Sequence, residues 1–332
     1  MTDTSWGMLS NQAVGAAGIV YFLALIAHLV EWSALSARKR VPAEALVGAG
    51  APVEEPLAAD DDREHRVALF GRLGFLLTII AVAAHFVALV GRGMAADPNR
   101  VPWGNMYEFT LSGTFVVAAA YVVLHRRFAL QWMAPIVVTF VLVCLMVAVL
   151  WLYEPVAELT EALNSYWLVI HVVSAILATG AFTLGGIVSA AYLVKARVGS
   201  REGSGLVGGW LSRVPSLDVL DRIAYRIHAF GFPVWTFAVL ITGPIWAHQA
   251  WSSYWNWDPK EVWAFITWVV YAGYLHARAT AGWRGRNAAI LALVGVGTLW
   301  FNFIGINYFS STSQHSYAAP AAPSVAEYPV NR

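Results

Sequence analysis

Reactive sulfur is almost missing from this chain, in which Cys144 is the single cysteine. One thiol closes no disulfide within the chain and cannot run a dithiol redox cycle, so both roles are excluded. Charge is also sparse. Asp, Glu, Lys and Arg make up 12% of the 332 residues, about half of the roughly 25% of a soluble domain. The formal net charge is +1, so nothing suggests a nucleic-acid partner. No Lys or Arg precedes Arg38, which argues against the basic opening of a cleaved signal peptide. The closely spaced His and Cys ligands or thiolate that zinc prefers are absent as well.

Apolar residues fill the space that charge leaves, at 58% of the chain. Eight stretches approach the about 20 residues that a helix needs to cross a bilayer. They lie at 14–37, 69–91, 109–125, 133–153, 166–194, 228–248, 263–281 and 288–308. Lipid offers no partner for open backbone groups, so each reads as a helix. The short alternating segments of a β-barrel are not seen. The expected fold is all-α, a polytopic integral membrane protein with about eight transmembrane helices.

Basic residues orient it. Lys and Arg gather in the loops after the odd-numbered spans, and only Arg92, Arg100, Lys260 and Arg332 fall on the other face. By the positive-inside rule both termini are outside. Residues 1–68 read as one transmembrane helix plus a cytoplasmic acidic linker that includes Asp60, Asp61 and Asp62. Residues 69–317 read as a membrane core with an external loop at about 246–268, and residues 318–332 as a disordered Ala/Pro-rich external tail. Leu217, Leu220, Ile223, Ala224 and Ile227 follow Ser216 at helical spacing, which predicts a short capped amphipathic helix on the inner surface.

The external loop is dense in indole. From Trp246 to Trp268 it reads W-A-H-Q-A-W-S-S-Y-W-N-W-D-P-K-E-V-W-A-F-I-T-W, with Trp251, Trp255 and Trp257 crowding up to Asp258. Such a run needs a large flat cover, either the membrane interface or a planar ligand such as haem. Asp258, Pro259 and Glu261 spell a helix start. Lys260 beside them could offer positive charge to a haem propionate. Asn105 and Glu108 repeat the capping pattern ahead of the third span, where Trp103 and Tyr107 add outer-face aromatics.

Topology sorts the nine histidines. His65, His125 and His228 fall among inner basic residues and read as solvated. His28, His85 and His276 lie within spans, where an ionisable group is costly and a functional candidate by default. His171 sits just inside the outer end of the fifth span, His248 ends the sixth beside the Trp loop, and His315 follows the eighth. Neutral imidazole is a normal axial ligand of haem iron. No span carries the His pair, 13–14 residues apart, of an electron-transfer b-type cytochrome.

The run W-S-S-Y-W-N-W-D-P-K-E-V-W resembles the tryptophan-rich WWD signature of haem-handling proteins in cytochrome c maturation. With R-V-P-W-G-N-M-Y-E-F, S-Y-W-L-V-I-H-V, V-V-Y-A-G-Y-L-H-A-R, N-F-I-G-I-N-Y and H-S-Y, the chain from about His85 onward looks like the CcsA (ResC) family of System II. Actinobacterial members of that family are often labelled CcsB. The resemblance implies haem b at an outer site, with His171 and His315 as axial ligands and Trp251, Trp255, Trp257 and Asp258 as platform. It implies that His276 ligates haem within the membrane, with a second ligand from a ResB-type membrane protein. Other implied partners are an apocytochrome c bearing Cys-X-X-Cys-His and a thiol-reducing thioredoxin-like protein. The site would be the extracytoplasmic face of a bacterial plasma membrane, and the activity that of a holocytochrome c synthase complex with ResB. His85 and His248 stand outside the pattern as lesser candidates, with Trp103, Tyr107 and Lys260. Ser252 stands where the signature usually carries Gly, a small-for-small change.

Three other readings compete. A haem chaperone would deliver haem and leave attachment to another protein. A small-molecule transporter would show paired broken helices related by a repeat, for which Gly185-Gly186 and Gly243-Pro244 are the only hints. A membrane anchor with Trp as belt residues would leave His276 without a reason.

Overall fold

A computed structural model describes residues 2–36, 56–157, 165–199, 211, 213–310 and 313–314. Among the described residues the regular structure is entirely helical. Helices α1 (Asp3–Ser36) and α2 (Pro56–Met94) pack side by side along their length. Then come α3 (Met106–Leu124), a 3-10 turn at Leu130–Met133, and α4 (Ala134–Trp151), with Pro135 in the first turn, where its missing N–H costs nothing. Next is α5 (Tyr166–Gly199). It is followed by α6 (Leu217–Thr236), a π-helical segment Phe237–Thr242 and α7 (Gly243–Trp251). After the Trp loop come α8 (Pro259–Ala279), α9 (Arg286–Trp300), a second π-helical segment Phe301–Gly305 and α10 (Ile306–Phe309).

Among the described residues, seven helical segments are long and apolar enough to cross a membrane, so the chain is an all-α, multi-pass membrane protein. They correspond to seven of the eight expected spans. The stretch at 263–281 is the exception: it forms α8, but Trp263, Trp268, Tyr271, Tyr274 and His276 replace aliphatic residues and lower its hydropathy. Packing nevertheless carries α8 from one end of the bundle to the other. Lys260 in its first turn lines the same cavity as His171 and Trp246. Arg278 in its last turn forms a bidentate pair with Asp221, at 2.7 and 2.9 Å, in the first turns of α6. Helix α8 therefore runs antiparallel to the continuous segment Leu217–Trp251.

Two further expectations are corrected. The separate amphipathic helix at 217–227 does not exist, because α6 runs on through the π-helical segment into α7 as one continuous span to Trp251, and the Ser216 side chain caps nothing. The same positions that spell an amphipathic face, Leu220, Ile223, Ala224 and Ile227, are buried against the bundle rather than against lipid headgroups. The linker is also shorter than expected, since α2 starts at Pro56 and takes in the Asp60–Asp62 run. The remainder of that linker, His315 and the 318–332 tail lie outside the described residues.

Candidate haem-binding cavity

A cavity of about 240 Å³ opens between α3, α4, α5, the first π-helical segment, α8 and α9. Its walls are mostly apolar, with Leu168, Val172, Val239 and Leu299, and aromatic, with Phe109, Trp235, Trp246, Tyr254 and Trp255. His171 of α5 faces into it. The His171 Nδ1 lies 3.0 Å from the Ala238 carbonyl oxygen. A carbonyl only accepts, so Nδ1 carries the proton and donates it, and the lone pair of the neutral ring resides on Nε2. Metal-ligating imidazoles are commonly anchored in this way.

Backbone irregularity makes that anchor. Pro244 has no N–H to give, and the helix relaxes into the π-helical segment Phe237–Thr242 just before it. Ala238 O then accepts from Gly243 N–H and Thr242 Oγ1 as well as from His171. Glycine at 243 relieves crowding, since a Cβ there would lie 3.0 Å from Ala238 O and 3.2 Å from the imidazole Cε1 and push one of them by a few tenths of an ångström. Trp246, one turn on, stacks on His171 with centroids 5.8 Å apart and 12° between planes. Trp251 in turn meets Trp246 edge-on at 4.8 Å.

The Trp loop is held by carboxylates. Glu261 Oε2 accepts from the N–H groups of Asn256 (2.9 Å) and Asp258 (3.1 Å), gathering the turn around Trp257. Trp257 itself is left-handed at φ +57° and 72% exposed. Asp258 is buried and caps α8 by accepting from Lys260 N–H at 3.0 Å, completing a capping box with Glu261. It also accepts from Ser313 Oγ at 2.8 Å and Gln314 N–H at 2.6 Å, which ties the segment after α10 to the loop. Ser252 is left-handed too, at φ +57°, as the residue that ends α7. Glycine suits that backbone, and a side chain there costs about 1 kcal/mol.

Among the expected site residues, the fold brings His171, Trp255 and Lys260 to one cavity wall. Trp251 backs that wall through Trp246, and Trp257 points outward against Trp255, with rings edge-on at 5.9 Å. Asp258 is a cap and a tether. His248 is exposed and stacks on Tyr254 at 4.3 Å, outside the lining. Trp103 lies behind the cavity, its Nε1–H donating to Ser112 Oγ at 3.1 Å, and Tyr107 sits under the Arg92 guanidinium at 5.1 Å. His85 is fully buried between the rings of Tyr21 and Phe115, away from the cavity. His276 is exposed on the last turn of α8. That places it about 24 Å along the axis from Lys260, at the opposite end of the bundle.

Two histidines read as solvated are not. His125 is buried, stacked on Phe75 at 3.9 Å with Nδ1 2.9 Å from the Tyr121 hydroxyl. His228 is fully buried among Phe182, Tyr271 and Tyr274, where Gly185 makes room that a Cβ would fill at 2.6 Å. Sequence reasoning also passed over Trp246, Tyr254, Glu261, Thr183 and Asn302 as cavity residues. The π-helical segments that aim several of them leave no mark in composition.

Lys260 lies ahead of the apolar part of α8. Desolvation lowers its pKa from the usual 10.5 to about 7, against the opposing pull of Asp258. An anionic group at the cavity mouth would restore the ammonium charge. The residues present thus fit haem: one anchored imidazole, flat aromatic walls and a cation at the mouth. Ligand pockets run from about 300 to 1,000 Å³, so a whole macrocycle would extend from this cavity into the Trp loop. Among the described residues, no group of three or more His, Cys, Asp or Glu could hold a metal ion without such a macrocycle.

The profile of a family described as cytochrome C assembly protein matches residues 103–313. The cytochrome c biogenesis protein CcsA of Synechococcus elongatus is 37% identical over 197 residues, covering 48% of this chain and 60% of that protein. The chain thus spans about 60% of the length of that relative. The CcsA of Gloeobacter violaceus is 30% identical over 302 residues, covering 76% of this chain and 88% of the relative. The CcsA of Mesostigma viride is 30% identical over 269 residues, covering 75% and 86%. In fold, the chain is similar to a solved structure of the cytochrome c heme lyase CcmF. The TM-score is 0.54 at 17% identity, over 92% of this chain and 49% of that one.

Proposed function

The chain belongs to the cytochrome c assembly protein family, and from that premise we propose that it binds haem b and presents it for covalent attachment to an apocytochrome c. The observation that carries this reading is the His171 imidazole, anchored through Nδ1 in an apolar, aromatic-walled cavity. When bound, haem supplies the iron that takes axial ligands and the vinyl carbons that become thioethers.

The chain's own residues hold and orient. His171 would hold the iron through Nε2, and His315 is proposed as the second nitrogen donor. Supporting this, Gln314, its neighbour in the chain, is tied to Asp258 beside the cavity mouth. Trp255 and Tyr254 offer ring faces, Trp246 stiffens His171, and Lys260 receives a propionate. Trp251, Trp257 and Asp258 hold the loop that carries these groups. Fixing reactants in register can contribute about 7–11 kcal/mol to catalysis in favourable cases. The client brings its own Cys-X-X-Cys-His thiols, kept reduced by a thioredoxin-like partner, so Cys144 needs no nucleophilic role. His276, exposed near the far end of α8, is proposed to ligate haem together with a group from a ResB-type partner. We place the Trp loop on the extracytoplasmic face of the plasma membrane, with α8 as the eighth crossing and both termini outside.

The test is reconstitution with ResB and an apocytochrome, scored for covalent haem. His171→Ala and His315→Ala should each abolish attachment, and added imidazole should partly restore it by filling the vacant coordination position. Normal attachment by both variants without imidazole would overturn the ligand assignment.

A further inference from the structure

One side of the cavity is lined by two helices that are not close neighbours, α4 and α9. Its lining takes Phe140 and Cys144 from α4, and Trp300, Asn302 and Phe303 from the end of α9 and the π-helical segment that follows. Helix α4 packs on α1 and α3, whereas α9 packs on α5 and α8, and the two do not pack extensively on each other. Across the gap runs an edge-on ring contact, Phe140 against Trp300, with centroids 5.7 Å apart and planes at 77°. Both rings, like Cys144 one turn above Phe140, are only partly buried.

The flanks of this seam are apolar and exposed, with Val143 on one side and Phe301 and Ile304 on the other. In a membrane-spanning bundle such faces meet lipid. Phe140 also stands near the midpoint of α4, well inside the bilayer. The α9 side is loosened as well, because the π-helical segment Phe301–Gly305 begins directly after Trp300. Two polar atoms inside the chamber, Asn302 Oδ1 and Thr183 Oγ1, are buried without a hydrogen-bond partner. Burying such atoms unpaired is costly, and a polar group of a guest that reached them would relieve that cost.

We propose that the α4–α9 seam is a lateral entrance from the bilayer, with Phe140 and Trp300 as its leaf. A flat, largely apolar porphyrin passes edge-first between the two rings into the cavity. This rests on the haem reading above. The Lys260 side chain at the cavity suits the carboxylate edge of such a ligand, and the seam suits its apolar edges. Opening turns the Phe140 and Trp300 rings away from each other.

The test joins the leaf shut. Phe140→Cys and Trp300→Cys are combined with Cys144→Ala, and the two new thiols are bridged by a cleavable bis-thiosulfonate linker in membranes. Haem uptake from haem-loaded phosphatidylcholine vesicles is followed by the Soret band, before and after cleavage of the linker. The linked protein should load about tenfold more slowly than the cleaved protein. Protein loaded in detergent before linking should keep the same final occupancy. Equal uptake rates for linked and cleaved protein would overturn the entrance while leaving haem binding intact. A cleaved protein with no Soret band would sink the haem reading and the entrance with it. Independently, Phe140→Ala alone should speed uptake by a few fold, and an unchanged rate would count against the leaf.

Discussion

Lys260 shows how a single position can carry two roles that one sequence motif does not separate. Its N–H serves the Asp258 cap, while its ammonium lines the cavity in a desolvated setting that lowers the pKa to about 7. An anionic ligand raises that value in the bound state. The ligand-binding contribution of the charge is then fully present below about pH 7 and is lost as pH rises toward the bound-state pKa. Haem affinity, measured by Soret titration between pH 6 and 9, should weaken as pH rises, by up to about tenfold per unit. Lys260→Met should flatten the dependence, and a Lys260→Met titration that still slopes would show that another group carries it. Histidine is where residue type misled most. His228 and His125, placed by neighbouring arginines in a solvated setting, are buried in aromatic boxes. Nearby charge in sequence says little about which face of a helix a residue occupies.

At the scale of elements, the D-P-K-E tetrapeptide was legible as a helix start because capping chemistry is local, and the structure has the complete capping box. Its second task was not legible. Asp258 also binds Ser313 and Gln314, more than fifty positions away. Asp258→Ala should therefore cost about 1–2 kcal/mol from the cap alone and free the segment after α10. Asp258→Asn should keep most of the capping energy, because Asn caps nearly as well. Thermal melts in detergent, with limited proteolysis near residue 313, distinguish the two. Equal melting temperatures for the Ala and Asn variants would mean that the charge, rather than the cap geometry, is what matters. The π-helical segments belong to this scale too. Pro244 signals a perturbed helix, yet only the packed structure shows that the perturbation delivers Ala238 O to His171. The Gly243-Pro244 pair is thus a device for aiming a side chain, and no repeat accompanies it.

Across the whole molecule, one buried ion network joins segments distant in sequence. Glu108 on α3 accepts from Arg92 Nε of α2 at 2.9 Å, from Arg100 Nη1 at 2.8 Å and from Gly104 N–H at 2.7 Å. Arg92 and Arg100 reach on to the carbonyls of Glu154 and Ala157 after α4. Removing the shared carboxylate strands two largely buried guanidinium groups. Glu108→Ala should therefore destabilise by about 3–5 kcal/mol, the cost typical of breaking a buried pair. Lost expression or a large fall in melting temperature checks this, and a melting temperature near that of the parent would show that water already reaches the arginines.

Composition and the length of the apolar runs by themselves determined an all-helical membrane protein, since lipid leaves the backbone no other way to satisfy its N–H and C=O groups. The helix starts at Asn105 and Asp258 and the density of indole before α8 were equally local facts. Tertiary structure alone decided that the less apolar α8 runs the length of the bundle, pinned at Asp221. It also decided that His171 meets a carbonyl sixty-seven positions away while His276 lies at the other end. Those outcomes depend on which helical faces meet. Helix–helix contact in lipid is chosen by the fit of small residues against rings, as Gly185 against His228, and not by hydropathy.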